Sequence, residues 1–385
     1  MSRAFEPCPP QLAFDWADRW PLASGAEPIP LVAAAGRVLA QDLTAHADIP
    51  AQPRSARDGY ALLAADTLGA GDYNPLPLRI GPASLPARRG YAARVAQGDP
   101  LPLGADAVLP LEQGDMRADV LEVGVGLASS DGVIRAGEEC PAGGLLLGTG
   151  RRLRPQDLAR LALAGLTEVR VRQRPRVRIV LAGRFETDAD GPLLAALVNR
   201  DGGQVAEVRI ASDPPGLADA LHAPGADLIL VAGGTGQGPQ DRAFDALQQC
   251  GTLQLDGVAI HPGGGVVLGD SGSRPVLLLP GAPLACLCAY DLIGARLLRR
   301  LAGRPGHLPY RRRALTLGLK VVSSIGRLEL ARLRISADRA EPIAVADGHT
   351  LATATQADAF LLVPEQSEGY PQGSTVQAYL YDHYD

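Results

Sequence analysis

Apolar and polar positions along the chain keep two different spacings, and each predicts a different architecture. Between residues 177 and 301, short apolar runs alternate with stretches of helical period. Residues 177–182 form an apolar run closed by Gly183, the pattern of a buried strand. Leu193, Leu194, Leu197 and Val198 then fall on one helical stripe, with Asp190 placed as its cap, Pro192 in its first turn and Gly202-Gly203 as its stop. Residues 205–210 read as a strand, 214–222 as a helix, 227–232 as a buried strand, 241–250 as a helix and 275–279 as a strand. A long, largely apolar helix over 283–301 gains Arg296, Arg299 and Arg300 towards its end, where cations suit the helix dipole. This alternation predicts right-handed crossovers and a mostly parallel sheet covered on both faces, with ligands at the carboxyl ends of its strands.

Elsewhere the period drops to two. Leu315, Leu317, Leu319 and Val321 alternate with polar or small residues, as do Val376, Ala378 and Leu380, which predicts a small C-terminal β-domain behind a linker over 303–309. Residues 49–140 show short apolar runs between Gly/Pro clusters, an irregular β region. One helix follows it, with Pro155 in its first turn, Leu158, Leu161 and Ala162 on one face and Gly165 as its stop.

Composition narrows the class. A chain of 385 residues with 46% hydrophobic and 21% charged residues can bury two or three cores. Its 45 glycines and 32 prolines follow no Gly-X-Y period, which implies many turns rather than a fibrous repeat. A net charge of −5 offers nothing for a polyanion, so nucleic acid is not an expected partner. The five cysteines are odd in number and lack a Cys-x-x-Cys spacing, which points away from a disulfide framework or zinc site and towards a reducing cytoplasm. The first ten residues lack the apolar core of a secretory signal. Pro280, Gly281, Pro283 and Asp291 interrupt the longest apolar stretch, so no membrane span is expected.

Three glycine-rich turns can carry chemistry. Gly233, Gly234, Thr235, Gly236, Gln237 and Gly238 lie between a strand and a helix, where backbone amides can approach a phosphate closely; a tight β-α turn reads the same way. His261, Pro262 and Gly263 to Gly265 form a second cluster, in which His261 is either an anion donor or a solvated loop residue. Leu279, Pro280, Gly281, Ala282 and Pro283 form a third, ordinary turn chemistry as readily as a ligand wall. Asp241 can bind a metal, orient a phosphoryl group or cap a helix. Asp188 and Asp190 form a carboxylate pair that can hold a divalent cation or accept bonds from a heterocycle's amino groups, while Asp58 sits in a turn with its acid exposed. No Gly-x-Ser-x-Gly and no His-Glu-x-x-His supports a hydrolase or zinc-protease reading.

In order along the chain, these pieces resemble the molybdopterin molybdenumtransferases, the family of bacterial MoeA and the gephyrin E domain. The resemblance rests on residues 31–40, Ile49-Pro50, Ser55-Ala-Arg-Asp-Gly-Tyr-Ala61, 94–102, 104–108, Gly137-Glu138, Gly233-Gly234, Gly238, Asp241, Pro262-Gly263, Leu279-Pro-Gly281, Pro283 and Gly326-Arg327. It implies an α/β multidomain fold in four parts: an elongated domain (1–46 and 141–174), a β-rich inserted domain (47–140), a three-layer α/β molybdopterin-binding domain (175–303) and a C-terminal β-barrel (308–385). It implies a homodimer, with magnesium, molybdate and adenylated molybdopterin as reactants and AMP as product. Asp58, Asp241 and Asp188 become the catalytic acids, the first two also metal ligands. Gly233, Gly234, Thr235, Gly236, Gly238, His261, Gly263, Pro280 and Gly281 become the cradle for the pterin phosphate.

The departures bear on activity. The family's Lys-Pro-Gly-Lys-Pro reads His261-Pro-Gly-Gly-Gly265, its Leu-Pro-Gly-Asn-Pro has Ala282 for asparagine, its Thr-Gly-Asp-Glu segment reads Arg184-Phe-Glu-Thr187, and its Asp-x-Asn reads Asp188-Ala-Asp190. Losing two permanent cations that would face an anion predicts slow chemistry. A second reading therefore stands beside the first: a catalytically degenerate paralogue that binds a pterin or nucleotide, or serves as an assembly chaperone for a metalloenzyme client.

Overall fold

The computed structural model describes residues 6–23, 25–183, 188–236, 242–343 and 350–384. The chain forms two compact units, one of residues 1–27 and 172–385, the other of residues 28–171.

The first unit is built on a six-stranded sheet. Its strands are β1 (Arg176–Leu181), β2 (Gln204–Ile210), β3 (Leu228–Ala232), β4 (Thr252–Asp256), β5 (Val267–Ser271) and β6 (Arg274–Leu279), in the spatial order 2-1-3-6-5-4. The first four of that order run parallel, as the sequence implied for most of the sheet; β5 pairs antiparallel with both β6 and β4, so it alone is reversed. The helices are α1 (Pro10–Asp18), α2 (Asp190–Arg200), α3 (Pro214–His222), α4 (Ala243–Cys250), α5 (Pro283–Ala289) and α6 (Ala295–Leu301).

Successive side chains of a strand point to opposite faces, and that alternation sorts the core into two layers. Val177, Ile179, Leu181, Leu230, Leu277 and Leu279 pack with α1, α2, α5 and α6. Val180, Ile229, Val231, Val276 and Leu278 pack with α3 and α4. Ala13, Trp16 and Ala17 of α1 belong to the first of these layers, so the N-terminal helix packs on the α/β sheet. The apolar face of α1 has this sheet layer to bury against.

The expected helix over 283–301 is not one regular helix. A π-helical turn over Tyr290–Gly294 separates α5 from α6, with the ring of Tyr290 packed on the Cα side of Gly294, where an added Cβ would lie 2.9 Å from the ring. Apolar residues surround this segment on every side, so its spacing alone carries no mark of the change of pitch.

After the linker, residues 310–384 form a closed five-stranded barrel. Strands Tyr310–Leu317, Leu328–Ser336, Arg339–Pro342, Ala359–Val363 and Thr375–Tyr384 pair in a ring, around Leu315, Leu317, Leu333, Leu361, Val363 and Val376. The short strand Ile260–His261 adds to the barrel in parallel register, Ile260 opposite Leu328 and His261 opposite Glu329.

A buried polar cluster joins the α/β layer to the barrel. Arg200 donates to Asp201 (2.7 Å), Asp291 (2.8 Å) and the hydroxyl of Tyr310 (2.5 Å), and Tyr310 donates to Asp291 (2.8 Å). Burial pushes the Asp291 carboxyl above its ordinary value, and the Arg200 guanidinium works against that rise.

The second unit holds a six-stranded mixed sheet of Ala107–Pro110, Gly59–Leu62, Tyr91–Val95, Leu76–Gly81, Val120–Val123 and Gly114–Arg117 in that spatial order. A separate core gathers Leu31, Leu39, Leu146, Leu153, Leu161 and Val171.

Candidate functional site

The carboxyl ends of β1, β3 and β6 meet at one edge of the α/β sheet, and the glycine turns lie there. Gly233 and Gly234 follow β3 with φ of 86° and 69°, a left-handed backbone that glycine adopts without penalty. The amide of Gly233 donates to Leu279 O at 3.0 Å, and that of Ala243 to Gly234 O at 3.1 Å. Gly281, after β6, comes so near that a Cβ on it would stand 3.1 Å from Gly233 Cα. A side chain on Gly281 would press against the Gly233 turn. Pro280 borders the same turn, and a Cβ on Gly265 would reach its Cγ at 4.0 Å. Gly263 has φ of 110°, and its Cβ position lies 2.9 Å from Ala285 O. The structure therefore brings Gly233, Gly234, Pro280 and Gly281 together and seats the 261–265 loop against α5 beside them. Thr235 is half-buried and Gly236 exposed. Gly238 and Asp241 lie outside the described residues.

His261 is held from the barrel. Its Nδ1 lies 3.0 Å from Glu329 Oε1, and Arg327 Nε lies 3.2 Å from the other oxygen of Glu329. Burial raises the Glu329 carboxyl, but the bond to His261 and the charges of His261, Arg327 and Arg332 outweigh it and leave the acid below its ordinary range. Where the family has lysine, this chain has an imidazole coupled to a carboxylate and, through it, to an arginine.

The two aspartates ahead of α2 divide their roles differently from the expectation. Asp188 is the helix cap, accepting from the Gly191 amide at 2.8 Å, and it is exposed. Asp190 stands inside the first turn, 4% exposed, and its Oδ1 has no hydrogen-bond partner. Burial, and then the charge of Asp188, push the Asp190 carboxyl up to about 6. The thiol of Cys286 on α5 is pushed well up by its own burial, with Asp190 adding to the effect. The sequence put Asp190 at the cap because it precedes Gly-Pro; a cap two residues earlier leaves the same trace.

Asp58 belongs to the second unit. It is exposed on the turn before strand Gly59–Leu62, accepts from the Gln97 amide at 2.7 Å, and its own carbonyl accepts from Leu111 at 3.2 Å. The bond comes from the Gln97 backbone, so it orders the acid whatever side chain stands at that position. Among the described residues, no three His, Cys, Asp or Glu side chains gather as a metal-holding group. No described helix is long and apolar enough to cross a membrane.

Comparison with known proteins places these features in one frame. Residues 10–165 match the profile of the MoeA N-terminal region (domain I and II), residues 178–300 that described as "Probable molybdopterin binding domain", and residues 314–381 that of the MoeA C-terminal region (domain IV). Among curated relatives, molybdopterin molybdenumtransferase 2 of Mycobacterium tuberculosis is 28% identical over 383 residues, covering 91% of this chain and 94% of its own. The molybdopterin molybdenumtransferase of Staphylococcus epidermidis is 25% identical over 376 residues, covering 90% and 88%. The crystal structure of the molybdopterin biosynthesis MoeA protein of Pyrococcus horikoshii superposes with a TM-score of 0.83 at 26% identity, over 98% of this chain and 100% of that one.

Proposed function

The chain belongs to the MoeA family and works in molybdenum cofactor biosynthesis, and from that premise we propose that it inserts molybdenum from molybdate into adenylated molybdopterin, releasing AMP. The observation that carries this reading is the close backbone approach of the Gly233 and Gly281 turns at the sheet's carboxyl edge. Gly233, whose amide is held by Leu279 O, shapes the turn so that the amides after it, of Gly234, Thr235, Gly236 and Gly238, receive the pterin phosphate, and Pro280, Gly281, His261 and Gly263 wall the crevice. Asp188 orients the ligand from the α2 side.

Magnesium takes hard carboxylate oxygens, and Asp58 and Asp241 are the acids that would hold it; Asp58 is an exposed carboxylate already oriented by a backbone amide. When bound, the ion neutralises charge on phosphate and molybdate oxygens. The acid on the inserted domain serves the crevice of a second copy, which makes the active species a homodimer of four-part chains, with parts at 1–46 joined to 141–174, at 47–140, at 175–303 and at 308–385, acting in the cytoplasm.

The permanent cations missing at His261 and Gly264 set the rate. Removing one preorganised donor from a developing charge costs about 10²–10³ in kcat, so turnover is slow beside a lysine-bearing relative. Purified protein supplied with adenylated molybdopterin, molybdate and magnesium should release AMP, and Asp241→Ala should stop it. Release no faster than in a protein-free control refutes the proposal.

A further inference from the structure

We infer that Asp190 is a specificity residue that accepts the paired N–H donors of the pterin's 2-amino-4-oxopyrimidine edge; this rests on the crevice reading above.

Three observations lead there. A carboxyl group 4% exposed with Oδ1 unbonded is an incomplete arrangement, because a buried acceptor without a donor forfeits the bond it had in water. The groups that perturb Asp190 and Cys286 supply no compensating charge: Asp188 is a second acid, and Cys286 a thiol. The chain leaves the sheet on its ligand edge ahead of α2: Ala182, just past the end of β1, lies 3.3 Å from the Cβ position of Gly234, and Asp190 opens the next helix, near Cys286 of the α5 that follows the Gly281 turn. A donor-rich ligand is what this site lacks.

Metal and heterocycle make different demands. Magnesium wants near-octahedral oxygen and retained water, which a buried carboxyl beside a thiol does not provide. A planar edge with an exocyclic amine next to a ring N–H places two donors side by side, the spacing of a carboxylate's two oxygens. Asparagine, present in the family at this position, offers one acceptor and one donor and cannot take both N–H groups. Aspartate can, so this chain should read the amino group more stringently than an asparagine-bearing variant.

The test compares 6-hydroxymethylpterin with 6-hydroxymethyllumazine, which lacks the 2-amino group, by calorimetric titration of the full-length protein and of Asp190→Asn and Asp190→Ala. Wild type should prefer the pterin by roughly tenfold or more, since a site built to bond a polar group discriminates against its absence. Both variants should lose that preference through weaker pterin binding, with lumazine affinity changed by less than about twofold. A purely structural role for Asp190 moves both ligands alike, and that result overturns the inference, as does wild type binding neither compound. AMP release by wild type is measured in parallel: its presence with unaltered pterin preference in the variants sinks the role of Asp190 alone, and its absence sinks the transferase reading.

Discussion

Replacing Asp190 by asparagine should make the protein more stable at neutral pH, although a charged residue at a helix N-terminus ordinarily helps the helix. The carboxyl is 4% exposed, and its proton is held to about pH 6 against an ordinary value of 3.8. Its folded-state pKa is raised, so the ionised form is the one the fold disfavours. Below about pH 4 the acid is protonated folded and unfolded, and no penalty exists. Between pH 4 and 6 the penalty grows as only the unfolded chain ionises. Above pH 6 it is complete, and two pKa units amount to ~3 kcal/mol. The asparagine side chain would carry no charge to bury, so the variant's advantage should reach up to about 3 kcal/mol at pH 7.5 and shrink towards zero at pH 4. Both tryptophans of the chain, Trp16 and Trp20, lie in or just after α1, and Trp16 is in the core that α2 shares. Tryptophan fluorescence in urea therefore follows this unit's unfolding. An advantage that is constant across pH, or an asparagine variant less stable at pH 7.5, would refute the reasoning.

Other perturbations have equally definite outcomes. Arg200→Met should cost about 3–5 kcal/mol, because Asp291, 2% exposed, loses its guanidinium while staying buried; the same fluorescence titration reads it. Gly263→Ala should cost about 1–3 kcal/mol, since φ of 110° strains any side chain and the new methyl would meet Ala285 O at 2.9 Å; thermal denaturation checks this. Asp157, buried in the second unit, accepts from Arg151 at 2.7 Å and from the Arg154 amide at 2.9 Å, and these bonds overcome burial to hold it well below its ordinary 3.8. Its contribution is whole above that value and is lost as pH falls through the lowered one. Asp157→Asn should therefore destabilise by about 1–3 kcal/mol at pH 7, with the gap closing in strong acid, as followed by hydrogen exchange of amides around Leu161.

What could be read in advance depended on range. The strands at 228–232 and 275–279 announced themselves because each is buried on both faces and hence apolar throughout, and that at 177–181 did so despite the buried Arg178. Strand β4 did not, since its alternation spans only Leu253 and Leu255 and breaks at an irregular register beside Gln254. The turns at Gly233, His261 and Pro280 were visible as glycine and proline clusters, and their convergence followed from the parallel order of β1, β3 and β6. Partners far apart in sequence were invisible: Arg200 meets Asp291 across 91 positions and Tyr310 across 110. The pairing of His261 with Glu329 is of the same kind, because it depends on a two-residue strand joining a barrel. Two nearby aspartates could not be told apart as cap and buried acid, because capping is decided by one residue's backbone angles.

The backbone on either side of the second unit meets itself: the amide of Gln173 donates to Gly25 O at 3.2 Å. Residues 28–171 are thus a parenthesis in the chain, opening and closing at one place. A parenthesis of this kind can be excised and its ends rejoined by a few flexible residues, leaving the α/β sheet and barrel contiguous. It also lets a lineage lengthen, shorten or exchange the enclosed module by recombination while the host's own strand order goes untouched.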